Sequence, residues 1–219
     1  MPIFVETGPM FSGKSGAVVE VVKRRLIGGQ IAGKDFVVFS HQSDNRYGEG
    51  IIASHNHERV VAIPRTTSLG IMSFLLNLPE NMPDLHPGLI KPELKNVRSL
   101  IVDEGQFFDG KLGRVLTAID TLWRLMGKNL EITVAGLNLD FRGEPFPTMA
   151  DVLSRAEKVN VHVAVCHVCG ENNATMTQRL VDGQPAKWSD PVKVVGADEL
   201  YTARCKQHHE VFGKPILTG

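Results

Sequence analysis

With 219 residues, 42% of them hydrophobic and 22% charged, the chain has the composition of a globular protein with enough apolar surface to bury a proper core. Its 24 basic and 24 acidic residues cancel and form no long basic run, which argues against a surface that holds nucleic acid electrostatically. There is no run of about 18 apolar residues and no leading succession of charge, apolar stretch and cleavage site, so a protein of the cytoplasm, away from membranes, is expected.

Ile3-Phe4-Val5 reads as a buried strand and Ala17 to Leu26 as a helix ended by Gly28-Gly29. Between them, Gly8-Pro9-Met10-Phe11-Ser12-Gly13-Lys14-Ser15 fits the phosphate-binding pattern G-x-x-x-x-G-K-[ST] at each fixed position. Glycines at both ends let the backbone wrap closely, so that successive N–H groups point at phosphate oxygens. Lys14 then reaches the β- and γ-phosphates, Ser15 offers its hydroxyl to a magnesium ion, and the helix adds its positive N-terminal end. A triphosphate with Mg2+ is the expected ligand.

Phe36 to Ser40 is a short apolar run expected as a buried parallel strand, completing a β-α-β unit. The polar stretch Ser40 to Ser54, with His41, Asp44, Asn45, Arg46 and Tyr47, reads as a substrate or phosphate loop, and His55-Asn56-His57 as solvated chain. Val60 to Ile63 reads as one strand and Ser68 to Leu76 as a helix. Pro79, Pro83, Pro87 and Pro92 predict an irregular surface insertion from Leu78 to Pro92.

Ser99 to Glu104 is an apolar strand ending in two carboxylates, the second nucleotide motif, expected beside the phosphate-loop strand. Asp103 would enter the magnesium shell, and Glu104, pointing elsewhere, is the candidate general base. Gly113 to Gly127 is an amphipathic helix, Leu130 to Leu137 a strand, Ala150 to Lys158 a helix, and Val159 to Val165 a strand leading out of the main domain. Phe141 and Phe146, in the segment Asn138 to Pro147, could stack a base or pack.

Cys166-x-x-Cys169 and Cys205-x-x-His208 form two pairs of soft or borderline ligands that fit a structural, tetrahedral Zn2+, with His209 or His167 as substitutes for His208. The metal would fasten the base of the long polar loop Gly170 to Arg204. The division expected is 1–160, an α/β, RecA-like P-loop domain with a mainly parallel sheet, and 161–219, a small zinc-binding domain.

Together these segments resemble the type II thymidine kinases, a zinc-containing family that includes the cytosolic vertebrate enzyme and many bacterial ones. The resemblance rests on the phosphate loop, Asp44-x-Arg46-Tyr47, Asp103-Glu104-Gly105-Gln106-Phe107-Phe108, Gly136-Leu137 and Asp140 to Phe146. In the tail it rests on Cys169-Gly170, Thr177 to Leu180, Gly183-x-Pro185-Ala186, Asp190-Pro191-Val192 and Tyr201 ahead of Cys205. It implies transfer of the γ-phosphoryl group of ATP to the 5′-hydroxyl of thymidine, giving thymidine monophosphate, with Glu104 as the base and Arg46 near the phosphates. It further implies that Met10, Phe107, Leu137, Phe141, Phe146 and Tyr201 enclose thymine and its methyl group, that Asp44 binds substrate, and that Thr177 and backbone near Val192, Val194 and Gly196 read the base edge. This makes 1–160 the kinase domain and 161–219 a zinc-binding domain whose segment 170–204 is the family's lasso over the substrate. A homotetramer and feedback inhibition by thymidine triphosphate are implied in the same way. Gly16 stands where a hydroxyl residue is common in the family, and Ala197 where it usually has a second glycine. The competing reading is a RecA-like ATPase acting on nucleic acid through a zinc ribbon, which the neutral charge disfavours; a GTP switch lacks an N-K-x-D segment.

Overall fold

The computed structural model describes residues 3–44, 47–54, 57–78, 85–192 and 200–215. The first half of the chain folds as β1 (Ile3–Thr7), α1 (Lys14–Ile27), β2 (Phe36–His41), β3 (Ile51–Ala53), β4 (Arg59–Val61), β5 (Ile63–Arg65), α2 (Ser68–Leu75) and β6 (Ser99–Val102). It continues with α3 (Leu112–Leu125), β7 (Glu131–Gly136), α4 (Pro147–Ser154), β8 (Lys158–Val161), β9 (Met176–Val181), β10 (Gln184–Pro185) and β11 (Tyr201–Arg204).

Six strands form one parallel sheet in the order β5-β2-β6-β7-β1-β8. Successive side chains of a strand face opposite ways, and the sheet uses both faces. Phe36, Val38, Ile101 and Ala135 face Val18, Val19 and Val22 of α1 and Ile52 and Val60 of the β3–β4 hairpin. Val37, Phe39, Leu100, Val102, Ile132 and Val134 face the opposite layer, which holds Ile71 of α2, Leu116, Ile119 and Trp123 of α3, and Val152 of α4. Trp123 is fully buried, and its indole N–H is satisfied by the Val97 carbonyl at 2.7 Å.

The α/β class and parallel sheet are as the sequence indicates; several local expectations change. β7 lies between β1 and β6, so the acidic strand is not the immediate neighbour of the phosphate-loop strand. The run Val60 to Ile63 breaks at Ala62: β4 pairs antiparallel with β3, whereas β5 joins the main sheet beside β2. β3 occupies the end of the expected polar loop because Ile52 is buried under α1. α4 starts at Pro147, whose fixed φ suits the first helical position, and ends before Lys158, which opens β8. Within the proline-rich segment residues 79–84 lie outside the described chain, but Pro87–Leu89 and Pro92–Leu94 form short 3-10 turns. Those turns carry Ile90 and Leu94 into the core, so this part is not merely a surface insertion.

The stretch after Gly170 is also more ordered than a loop. β10, β9 and β11 form an antiparallel sheet, with Asp182 and Gly183 both at positive φ in a two-residue turn of the Asp-Gly type. Among the described residues no helix is long and apolar enough to cross a membrane.

Candidate active site and metal cluster

The parallel strands open at one edge of the sheet, where β1 runs into Gly8, β6 into Asp103 and β7 into Leu137. Gly8 has φ 143°, and a Cβ there would stand 2.4 Å from the His162 carbonyl oxygen, so only glycine fits. Gly13, left-handed at φ 88°, turns the chain into α1 without a side-chain cap. The first N–H groups of that helix therefore have no intrahelical acceptors and suit an anion. Lys14 Nζ donates to the Pro9 carbonyl at 2.6 Å and Ser12 Oγ to the same oxygen at 2.8 Å. The loop is also tied to the antiparallel sheet, because Met10 N–H donates to Thr177 Oγ1 at 3.0 Å. Phe11, at φ 63°, packs on the small cluster of Ala164, Cys166, Ala174, Ala203 and Cys205.

Asp103 is buried, its N–H donating to the Phe39 carbonyl and one carboxylate oxygen accepting from Glu104 N–H at 2.9 Å. Burial, and after it the charges of Glu104 and Asp44, push the Asp103 carboxyl up to about 7, against the Glu104 N–H and the Lys14 charge. The edge therefore gathers carboxylates of Asp103, Glu104 and Asp44 with one lysine, a field that a divalent cation would relieve. Glu104 itself sits in the left-handed region at φ 55°, a conformation costing a non-glycine residue about 1 kcal/mol or more. Its Oε2 accepts from Gln106 Nε2, and Gln106 Oε1 accepts from Leu137 N–H at 3.0 Å. Gln106 is absent from the sequence-predicted site residues, although it stands within the quoted acidic motif.

The residues expected around the nucleoside are spread over several supports. Phe107 lies with its ring against His41, which is fixed between the Thr66 carbonyl at Nε2 and the Ser43 N–H at Nδ1. Asp44 N–H donates to the His41 carbonyl. Phe146 packs against the large core beneath the sheet edge. Phe141 is 2% exposed, with the guanidinium carbons of Arg142 and Arg179 at 5.4 and 5.6 Å from its ring centre. Those arginines donate to the carbonyls of Asp190 and Pro191, immediately before half-buried Val192. Tyr201 stands opposite Arg179 on β11, its hydroxyl pushed up by burial. Arg46, Val194, Gly196 and Ala197 lie outside the described residues.

Cys166, Cys169, Cys205 and His208 converge, their ligand atoms all within 4.8 Å of one another. The His208 Nδ1 stands 3.7 Å from Cys166 Sγ and 3.1 Å from Cys205 Sγ, against the about 3.5 Å that tetrahedral zinc imposes on adjacent ligands. Burial works against ionisation of Cys166, but the N–H groups of Cys169, Cys205 and Val168 and the His208 ring hold its thiol down at about 5. Three sulfurs and an imidazole in this arrangement can hold a zinc ion. His209 instead donates from Nε2 to the Phe141 carbonyl at 2.8 Å, and His167 lies over the Phe11 ring, so neither replaces His208.

The family model described as thymidine kinase matches residues 1–209. The chain belongs to the thymidine kinase family. It is accordingly a kinase of the nucleoside class, and the match takes in both the glycine loop from Gly8 to Ser15 and the Cys3His group of this thymidine kinase family member.

Proposed function

We propose that the chain transfers the γ-phosphoryl group of ATP to the 5′-hydroxyl of thymidine, yielding thymidine monophosphate. The observation that carries this reading is the convergence of Lys14, Asp103, Glu104 and Asp44 at the sheet edge beside a glycine loop and a helix N-terminus. Ser15 and Asp103 would hold magnesium, which when bound neutralises phosphate oxygens; Lys14 stabilises the transferring group and Glu104 accepts the hydroxyl proton. Arg46 belongs near the phosphates by the family resemblance. Met10, Phe107, Leu137, Phe141, Phe146 and Tyr201 are proposed to enclose thymine, with Thr177 and the backbone of Val192, Val194 and Gly196 at its edge. The division into a kinase domain over 1–160 and a zinc-binding domain over 161–219, a cytoplasmic location, a homotetramer and inhibition by thymidine triphosphate complete the proposal.

The test is phosphoryl transfer from magnesium ATP to thymidine, deoxyuridine, deoxycytidine and deoxyguanosine by zinc-replete protein. Preference for thymidine is expected, together with loss of transfer but retained ATP binding in Glu104→Gln. No transfer to any nucleoside by the parent protein, with ATP still bound, overturns the reading; full turnover in Glu104→Gln removes that residue from the base role.

A further inference from the structure

Gln106 spans the ends of two sheet strands. Its Oε1 accepts from the N–H of Leu137, the first residue beyond β7, at 3.0 Å, and its Nε2 donates to Oε2 of Glu104, the second residue beyond β6. The side chain is 5% exposed and tightly enclosed: a Cβ on Gly136 would lie 2.7 Å from Gln106 Oε1 and 2.8 Å from Met149 Sδ. The orientation of the amide follows from its partners, because a backbone N–H only donates and an ionised carboxylate only accepts. Turned over, the amide would set donor against donor at Leu137 and acceptor against acceptor at Glu104. Of the ordinary side chains of this length, only a carboxamide serves both at once. Glutamate would keep the Leu137 bond and lose the donor, while methionine would lose both.

The consequence concerns Glu104, which leaves the sheet on a left-handed turn rather than on a strand. The bond to Gln106 refers its carboxylate to the main chain just beyond β7, a strand in the middle of the sheet. We propose that Gln106 is the positioning residue of the catalytic base, fixing the Glu104 carboxylate in the attitude that receives the hydroxyl proton; this rests on the reading of Glu104 as that base. A carboxylate out of line by about 1 Å loses up to about a hundredfold in rate.

The experiment is a kinetic double-mutant cycle on zinc-replete enzyme with Gln106→Met, Glu104→Gln and the two combined, and with Gln106→Glu as a second probe of the donor. Melting temperatures establish that each variant is folded. Gln106→Met and Gln106→Glu are each expected to lower kcat by about 10- to 100-fold with KM for thymidine and for ATP within about threefold of the parent. In the Glu104→Gln background, Gln106→Met is expected to lower the residual kcat by less than about threefold, since the group it serves is already gone. The proposal is overturned if folded Gln106→Met keeps kcat within about twofold of the parent, if its loss appears in KM instead, or if the loss is equally large without Glu104. Wild-type turnover in Glu104→Gln would strike out the base assignment itself, whereas loss in Glu104→Gln with retention in Gln106→Met would strike out only the role given to Gln106.

Discussion

The parallel-sheet region and the region around the cysteines are built on different sources of order. The former packs large apolar side chains, among them Phe39, Leu100, Leu116, Ile119, Trp123 and Ile132, into a continuous layer beneath the sheet. The latter has a core of Ala164, Cys166, Ala174, Ala203 and Cys205 with Phe11 resting on it, too small to hold three strands by apolar burial. Its strand β9 buries Thr177, Gln178 and Arg179 instead: Thr177 Oγ1 accepts from Met10 N–H, Gln178 exchanges two hydrogen bonds with the backbone of Glu210, at 2.7 and 2.8 Å, and Arg179 donates to the Pro191 carbonyl while its buried Nε has no hydrogen-bond partner among the described residues. One region is held by volume, the other by polar contacts that exist only when the chain is correctly placed, around a Cys3His group that could hold zinc.

The sharpest way to break this contrast is to remove one of the four candidate zinc ligands. Structural zinc contributes on the order of 10 kcal/mol to small domains that depend on it. Cys205→Ser is therefore expected to abolish hydrogen-exchange protection in β9 and β11 while leaving β6, β7 and α3 protected, and to raise KM for the nucleoside more than it weakens ATP binding. Unaltered protection of β9 in protein shown to be metal-free would refute the contrast. The converse change is Trp123→Ala, which empties the large core and orphans the Val97 carbonyl. A loss of about 3–5 kcal/mol is expected in denaturant unfolding, with zinc stoichiometry unchanged in the folded protein. Retention of parental stability would mean that this layer is not the main source of order.

A smaller effect separates stability from function at the sheet edge. Asp103 binds its proton more tightly in the folded chain, at about 7, than at its ordinary 3.8, so its contribution to stability is full below the lower value and lost as pH rises through the upper one. Asp103→Asn is accordingly expected to raise Tm in magnesium-free buffer at pH 8, with a gain that shrinks toward pH 5, and to lose phosphoryl transfer. An equal change in Tm at both pH values would show that the charge is not its cause.

The features legible in the sequence are those whose meaning is contained in a few adjacent residues. The phosphate loop, the acidic pair and the two ligand pairs each need only local spacing, and the structure gathers Lys14 with the acidic pair and all four metal-ligand candidates. Elements that depend on distant partners were not legible. The apolar run Val60 to Ile63 does not reveal that Val60 packs under α1 while Ile63 joins the main sheet, because the break at Ala62 is set by pairing with β3 and β2. Ile90, Leu94 and Val97 do stand at helical spacing, but Pro92 falls between them and the chain takes short turns instead, so their burial shows only in the packed layer. The β9–β10 turn carries a readable signal in the dipeptide Asp182-Gly183. For Gln106 the decisive partner, Leu137, is remote in sequence, and a motif alone does not disclose it.

The carbonyl of His162 that presses against Gly8 belongs to a residue only four positions ahead of Cys166. Fully extended, four residues span at most about 14 Å. That short covalent leash, together with the bond from Met10 to Thr177, holds the cysteine region close to the glycine loop. A displacement at Cys166 therefore has only four residues of chain in which to be absorbed before it reaches the glycine loop.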